Sequence, residues 1–442
     1  MRANYDVKQN KVTPMTGPRL VRLPARDARL ASYVRPFSRD YGKLARLLVE
    51  GFHIGRGLIL DPCHINGERG RELRDEARKA RLELILDPRS VELSMPGSLS
   101  QKQVAHLPWA GKELPELAHF QLSGFSQGFC EAIADFAVGI GASAVLAPCH
   151  YLPSLPDPWL DVDARLSLEL RTALDRSGGE HIAIYYPLIA KLSVLAQPTI
   201  REHLLARLSD VIEARAVDAL WLRIHNFGAT NSGSVNLRRY IHFAREAHRL
   251  GVPIVAERTG TVGLALLALG AVGGIESGVT LGEGYNVTQL NRRRGTGAVF
   301  VPLPRIYLPQ IGAFLRKDKA EAFLARPGYR NRYGCQENCC RRGAQDMLAD
   351  PRRHFLVCRT RDVDRLSITP AAERADHYLE SWLRPASDRA THAMKAEPSL
   401  RNHRERLDQW RMTLSAIREE DQQQVPTISA APYGGRIGRT NP

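Results

Sequence analysis

Seven short apolar runs, each ending in polar residues and each parted from the next by a stretch of helical period, constrain this chain more than any other feature. The spacing predicts strands at Leu58–Leu60, Leu82–Leu86, Ser143–Ala147, His181–Tyr186, Ala219–Ile224, Val252–Ala256 and Gly273–Val279. Between them it predicts helices at Arg69–Arg81, 124–140, 162–176, 198–215, 236–249 and Val262–Leu269. A strand, a helix and a further strand imply parallel neighbours, because the helix carries the chain back along the sheet.

Two architectures satisfy that order, an open doubly wound sheet and a closed barrel. No GxGxxG loop follows the first strand, which removes the usual mark of a dinucleotide-binding open sheet. The reading is therefore α/β: a (β/α)8 TIM-type barrel with a C-terminal Cys-rich, mainly helical extension. The barrel needs an eighth strand. Leu20–Leu23, the stretch near Ala31–Val34 and Ala298–Leu303 are the three places that offer one. The expected organisation is an N-terminal arm or lead-in strand over 1–40, the barrel over 41–305, a Cys/His and helical module over 306–420, and a Gln/Pro/Gly-rich disordered tail over 421–442.

A hydrophobic content of 43% and a charged content of 25% are ordinary for a folded domain and exclude a largely disordered chain. No apolar run reaches the roughly 18 residues that a membrane span needs. The N-terminus lacks the apolar core of a secretory signal, and seven Cys in 442 residues are no disulfide scaffold. A cytoplasmic protein with no membrane partner is the expectation. Its oligomeric state is not legible.

In a parallel barrel the loops after the strands converge on one face, so polar residues at strand ends are the natural site candidates. Asp61 with His64, Asp87 with Arg89, Cys149 with His150, Tyr185 with Tyr186, Arg223 with His225 and Asn226, Glu257 with Arg258, and Glu276 all fall there. For acid–base work, Asp87, Glu257 and Glu276 are the best-placed carboxylates and His150 and His225 the best-placed imidazoles. Asp61, Arg89, Tyr185, Tyr186, Arg223, Asn226 and Arg258 are candidates for substrate binding. Asp61-Pro62-Cys63-His64 offers one His without the pair a rim metal would want. Gly260, Gly263, Gly273, Gly274, Gly278, Gly282 and Gly284 offer material for a phosphate loop, or simply for turns.

The sharpest local signal lies further on. Cys335, Cys339, Cys340, His354 and Cys358 stand within 24 residues and suit tetrahedral zinc held by thiolate and imidazole in a scaffolding role, with an unmetallated buried cluster and a redox or iron–sulfur role as the alternatives. Four ligands suffice, and adjacent Cys339 and Cys340 are not expected to point inward together. Arg341, Arg342, Arg352, Arg353, Arg359 and Arg361 surround them and suit either phosphate backbones or a solvated surface. The net charge of +15 favours anionic partners such as nucleic acid (tRNA or DNA), nucleotides or acidic membrane surfaces, or simply reflects a composition that prefers Arg to Lys.

A barrel followed by a Cys/His segment and a helical C-terminus, in a basic chain, resembles the tRNA-guanine transglycosylase family. The stretch from Pro253 through Thr259-Gly260-Thr261 and Ala268-Leu269-Gly270-Ala271 to Glu276-Ser277-Gly278 is similar in rhythm to that family's last two barrel strands. The Cys spacing differs from the family's, and Glu276 stands where the family has Asp. The resemblance implies base exchange at a glycosidic bond. Glu276 would be the nucleophile, Asp87 the acid/base, Tyr185 or Tyr186 a stacking partner, and the basic C-terminal module a grip on phosphates. Two other readings compete: a barrel enzyme acting on a small phosphorylated or carboxylated metabolite, and a non-catalytic nucleic-acid-binding protein.

Overall fold

The computed structural model describes residues 30–95, 102–111, 115–280, 283–289 and 305–423. Eight parallel strands close into a barrel: β1 (Ala31–Arg35), β2 (Gly57–Leu60), β3 (Glu83–Leu86), β4 (Ala144–Leu146), β5 (Ala183–Lys191), β6 (Ala219–His225), β7 (Ile254–Ala256) and β8 (Gly274–Gly278). Each strand pairs with its neighbour in order, and closure is made by β1 lying along β8 with Tyr33 opposite Glu276. Of the three stretches offered for the eighth strand, the second supplies it, as the first strand of the barrel. The other two lie outside the described residues, as do the Arg292-Arg293-Arg294 run and the tail from 424 onward.

The strands are fully buried because they face two cores at once. Alternate residues point inward, and Ala31, Tyr33, Ile59, Ile85, Ala144, Leu146, Ala219, Trp221 and Val255 fill the barrel interior. Residues of opposite phase pack outward against helices α1 (Tyr41–Val49), α2 (Glu68–Lys79), α3 (Ser123–Gly139), α4 (Pro158–Arg176), α5 (Pro198–Glu213), α6 (Ser234–Ala247) and α7 (Val262–Ala268). The same alternation carries Arg35, Asp87, Arg223, Glu257 and Glu276 into one layer near the mouth.

β5 runs five residues past the expected end at Tyr186. Pro187 is the reason a sequence reading stops there. Odd-numbered residues of β5 turn their N–H toward β4, as Ala183 does to the Ser143 carbonyl at 3.0 Å. β4 has already ended at Leu146, opposite Tyr185, so the donor missing at Pro187 is not needed.

After the barrel, a hairpin of β9 (Arg305–Leu308) and β10 (Ala313–Arg316) leads to α8 (Lys317–Leu324), a Cys-bearing 3-10 turn, and helices α9 (Pro351–Ile368), α10 (Arg384–Ala396) and α11 (Arg401–Gln423). This module is bound to the barrel by long-range contacts. The Trp410 indole N–H donates to the Ser232 carbonyl at 2.7 Å, Arg352 pairs with Asp40 at 2.9 Å, and Arg245 pairs with Asp421 at 2.8 Å. No described helix is long and apolar enough to cross a membrane.

Candidate active site and metal centre

The mouth of the barrel is built around a residue that strand-end reasoning passed over. Arg35, the last residue of β1, places one guanidinium nitrogen 2.5 Å from Asp87, a second 2.5 Å from Glu257, and its Nε 3.3 Å from Glu276. Arg223, inward on β6, binds Asp87 at 3.1 Å and Glu257 at 2.7 Å from one nitrogen. Five strands thus deliver two guanidinia and three carboxylates into one buried cluster. The signal was present: Arg35 follows Ala31–Val34 as the other candidates follow their strands.

The three carboxylates are pushed in different directions. Burial pushes Asp87 up, but Arg35 and Arg223 outweigh it and hold it well below the usual carboxylate range. Burial opposes ionisation of Glu257 too, and Arg223 and Arg35 together bring it below its ordinary value. Glu276 goes the other way. Its burial, with the charge of Glu257 added, outweighs the pull of Arg35 and raises it. Free valence differs as well. Asp87 is fully engaged, its Oδ1 accepting the Arg89 backbone N–H at 2.9 Å. Glu257 Oε2 and Glu276 Oε1 both lack a hydrogen-bond partner, but Glu276 Oε1 faces Arg35 Nε at 3.3 Å while its Oε2 accepts the Arg258 N–H at 2.9 Å.

Four of the six described non-glycine residues with positive φ lie on the same face, the other two, Arg81 and Arg215, preceding β3 and β6. Arg89, Asn226, Arg258 and Thr280 all have positive φ, and each follows β3, β6, β7 or β8. In two of them the left-handed turn aims a backbone N–H at a cluster carboxylate: Arg89 at Asp87 and Arg258 at Glu276.

A strap after β8, residues 283–289, is stitched across the mouth. Tyr285 pairs with both His225 and Phe227, and the Asn226 N–H donates to its carbonyl at 2.8 Å. Its ring lies between the guanidinia of Arg223 and Arg258, at 5.7 and 5.5 Å from its centroid. Glu283 of the strap accepts the N–H of Thr261, at the start of α7, at 3.0 Å. Gly260 makes room for it, since a Cβ there would meet the Glu283 carboxylate at 2.5 Å. The glycine-rich turn offered for phosphate is thus already filled by an internal anion, which answers the α7 N-terminus as a phosphate would. Neither Glu283 nor Tyr285 was legible, because both act from beyond the last strand.

The remaining candidates divide. His225 sits two residues above Arg223, accepts the Val287 N–H at 3.1 Å through Nδ1, and is pushed down by burial and by Lys191, so it is a neutral imidazole at the mouth. Asp61 and Arg89 pair at 3.2 Å on the rim. His150 points away from the cluster. Its Nδ1 lies 2.6 Å from Asp163, its ring stacks on Trp159 at 3.8 Å, and Phe120 meets its edge. Cys149 is held by Ser90, whose hydroxyl donates to its carbonyl at 2.9 Å.

Tyr185 and Tyr186 are not at the mouth, because β5 continues beyond them. Tyr185 faces the barrel floor, donating to Glu83 at 3.0 Å and stacking on Trp221 at 5.6 Å. Tyr186 is buried on the outer face, beside Cys149.

The Cys segment closes into a compact group. Cys335, Cys339, His354 and Cys358 are buried, with ligand atoms all within 4.8 Å of one another. The Sγ atoms of Cys335 and Cys339 are 3.7 Å apart, Cys335 and Cys358 are 3.9 Å apart, and Cys358 lies 3.6 Å from His354 Nδ1. A tetrahedron with bonds of about 2.3 Å has edges of about 3.8 Å, so the spacing suits one ion among these atoms. His354 and Cys358 reach it from one face of α9, one turn apart. His354 Nε2 donates to the Tyr307 carbonyl at 2.8 Å, which leaves the Nδ1 lone pair for a metal. Against expectation, Cys340 is buried beside Cys339, with Sγ 3.4 Å from His354 Nδ1.

The arginines around this group are mostly spoken for. Arg342 pairs with Asp346 at 2.7 Å, Arg352 with Asp40, Arg361 with Glu337 and Asp362, and Arg353 donates to the Cys339 carbonyl at 2.7 Å. Arg359 is buried and donates to Thr261 at 3.1 Å.

No known family and no curated protein matches the chain. Among solved structures it is similar to a GH18 chitinase from Pseudoalteromonas aurantia, at 12% identity over 56% of this chain and 93% of that one, with a TM-score of 0.36. It is also similar to a putative phosphonomutase from Burkholderia cenocepacia J2315 (17% identity, 57% and 89% covered, TM-score 0.33) and to KGPDC from Streptococcus mutans (9%, 60% and 94%, 0.32). Likenesses of that size carry no argument about substrate. The strand pairing defines the class of protein, a (β/α)8 barrel with a charged centre at its mouth and a Cys/His group in its C-terminal module.

Proposed function

We propose that the chain is a barrel enzyme that breaks and remakes the bond between a sugar carbon and a base, on a nucleotide or nucleic acid, with zinc as a scaffold in the C-terminal module. The observation that carries the reading is the Arg35 cluster, which gathers Asp87, Glu257 and Glu276 from separate strands and favours the ionised form of the first two and the protonated form of the third. Glycosidic chemistry needs one ionised carboxylate and one protonated carboxyl on the same bond.

The roles follow from the states rather than from the family's pattern. Glu257 is ionised and has a free oxygen, so it attacks the sugar carbon. The carbon–nitrogen bond breaks, its electron pair goes to the leaving base, and Glu276 gives that base its proton. In the return step a replacement base attacks the same carbon, Glu257 leaves, and the incoming base yields its proton to Glu276. Asp87 stays ionised and fixes Arg35 and Arg223. The nucleophile expected at Glu276 therefore moves to Glu257, because burial and the Glu257 charge favour the protonated form of Glu276 over that of its two neighbours, which suits it to give a proton. Where zinc is bound, Cys335, Cys339, His354 and Cys358 hold it and it ties α9 to the 3-10 turn.

The test is exchange or release of an isotopically labelled base from tRNA, single-stranded DNA and free nucleotides. Turnover of one of them supports the reading, and turnover of none removes it. A small substrate is the second reading, favoured by one observation: five of the six arginines offered as a grip on phosphates are held by the protein's own groups. Turnover of the free nucleotide at a rate equal to that of the polymers selects it.

A further inference from the structure

Four ligand atoms, of Cys335, Cys339, His354 and Cys358, form the close group, and a fifth, Cys340 Sγ, lies against two of them, Cys339 and His354. Cys339 and Cys340 are neighbours in the 3-10 turn Asn338–Cys340, and both thiols come close to the His354 ring. Their Sγ atoms are 3.7 Å apart, and they lie 3.9 and 3.4 Å from His354 Nδ1. Both residues are fully buried, at 0% and 3% exposure. Cys335, His354 and Cys358 have no such double.

We propose that Cys339 and Cys340 are interchangeable ligands for one coordination position, so that the site has three fixed ligands and one position served by either of two thiolates. The inference rests on the metal reading above. Each thiolate is within tetrahedral-edge distance of the imidazole nitrogen, so exchange needs a rotation of side chains and no movement of the helix that carries His354 and Cys358. The arrangement costs nothing in scaffold, because the unused thiol stays buried against its neighbour. It also protects occupancy: loss of one thiolate of the pair leaves a complete Cys3His set.

Metal content of the full-length chain tests this directly. Wild type, Cys339→Ser, Cys340→Ser, the double variant and Cys335→Ser are purified in zinc, dialysed against a weak chelator and measured for metal per chain. The expected result is about one zinc in wild type and in each single variant of the pair, with loss in the double variant and in Cys335→Ser. Cobalt replacement supplies a second readout, since the thiolate-to-cobalt absorption should report three thiolates in wild type and in both single variants. Should a variant fail to fold with zinc, the cobalt titration is made on the chain refolded with cobalt. Loss of metal from Cys339→Ser while Cys340→Ser keeps it would make Cys339 a fixed ligand and overturn the inference. So would the reverse pattern. A wild-type chain that binds neither zinc nor cobalt overturns it together with the metal reading, whereas one that binds metal through a fixed Cys339 leaves the metal reading standing.

Discussion

Arg35 and Glu276 meet at 3.3 Å although they stand on the first and last strands of the barrel. The contact closes the charged layer where β1 and β8 close the sheet. Because Arg35 also holds Asp87 and Glu257, the seam of the barrel and its chemical centre are one structure.

Replacing Arg35 by Met should therefore strip one of two counterions from each of the buried carboxylates Asp87 and Glu257, and a neighbouring donor from Glu276. Breaking a buried pair costs about 3–5 kcal/mol, because an uncompensated charge remains. Urea unfolding at pH 7 should show a loss of at least that order, larger than the loss from replacing the rim residue Arg89. A loss under about 1 kcal/mol would mean that the three carboxylates do not depend on Arg35.

Asp87 and Glu276 should respond to pH in opposite directions. Asp87 titrates below its unfolded value of about 4, so its contribution to stability is complete above that pH and is lost as pH falls through its folded value. Glu276 titrates above its unfolded value of about 4.3, so the folded state binds its proton more tightly and stability falls as pH rises from there toward its folded value. Asp87→Asn should destabilise at pH 7, whereas Glu276→Gln should leave the urea midpoint unchanged or raise it. A Glu276→Gln protein less stable than Asp87→Asn would contradict the split.

Tyr185 provides a control at the other end of the barrel. Its hydroxyl bonds to Glu83 on the floor, with Tyr33 and Arg56 on the same carboxylate. Tyr185→Phe should cost about 1 kcal/mol of stability, the usual net worth of one hydrogen bond, and leave turnover as it was. A selective fall in turnover would restore Tyr185 to the site.

Removing the metal should loosen the C-terminal module before the barrel. The Cys group joins the 3-10 turn to α9, and α9 touches the barrel through Arg359 and Thr261. Chelation should expose the thiols of Cys335, Cys339, Cys340 and Cys358 to a thiol reagent while Cys130 and Cys149, buried in and around the barrel, stay protected. Equal reaction of all six would show that the module and the barrel unfold together.

The seven strands were legible because most of their residues are buried on both faces and so read as short, mainly apolar runs. Ala31–Arg35 was ambiguous, since Ser32, Tyr33 and Arg35 dilute its apolar signal, and with it went the central arginine. The carboxylates Asp87, Glu257 and Glu276 were found because strand ends converge in any parallel barrel. Their protonation was not, because it depends on guanidinia contributed by other strands. The misplacement of Tyr185 and Tyr186 traces to Pro187, a stop signal that the early end of β4 makes harmless. Cys340 was set aside on the rule that adjacent side chains diverge, yet its Sγ lies 3.7 Å from that of Cys339 and 3.4 Å from His354 Nδ1.

The most direct test of the central claim is the rate of base exchange by wild type, Glu257→Gln and Glu276→Gln on whichever nucleotide or nucleic acid the wild type turns over. The account predicts that both variants fold, that Glu257→Gln is inactive, and that Glu276→Gln loses about a hundredfold or more for want of a proton donor. Wild-type rates from either variant would show that the charged layer closes the barrel and does no chemistry.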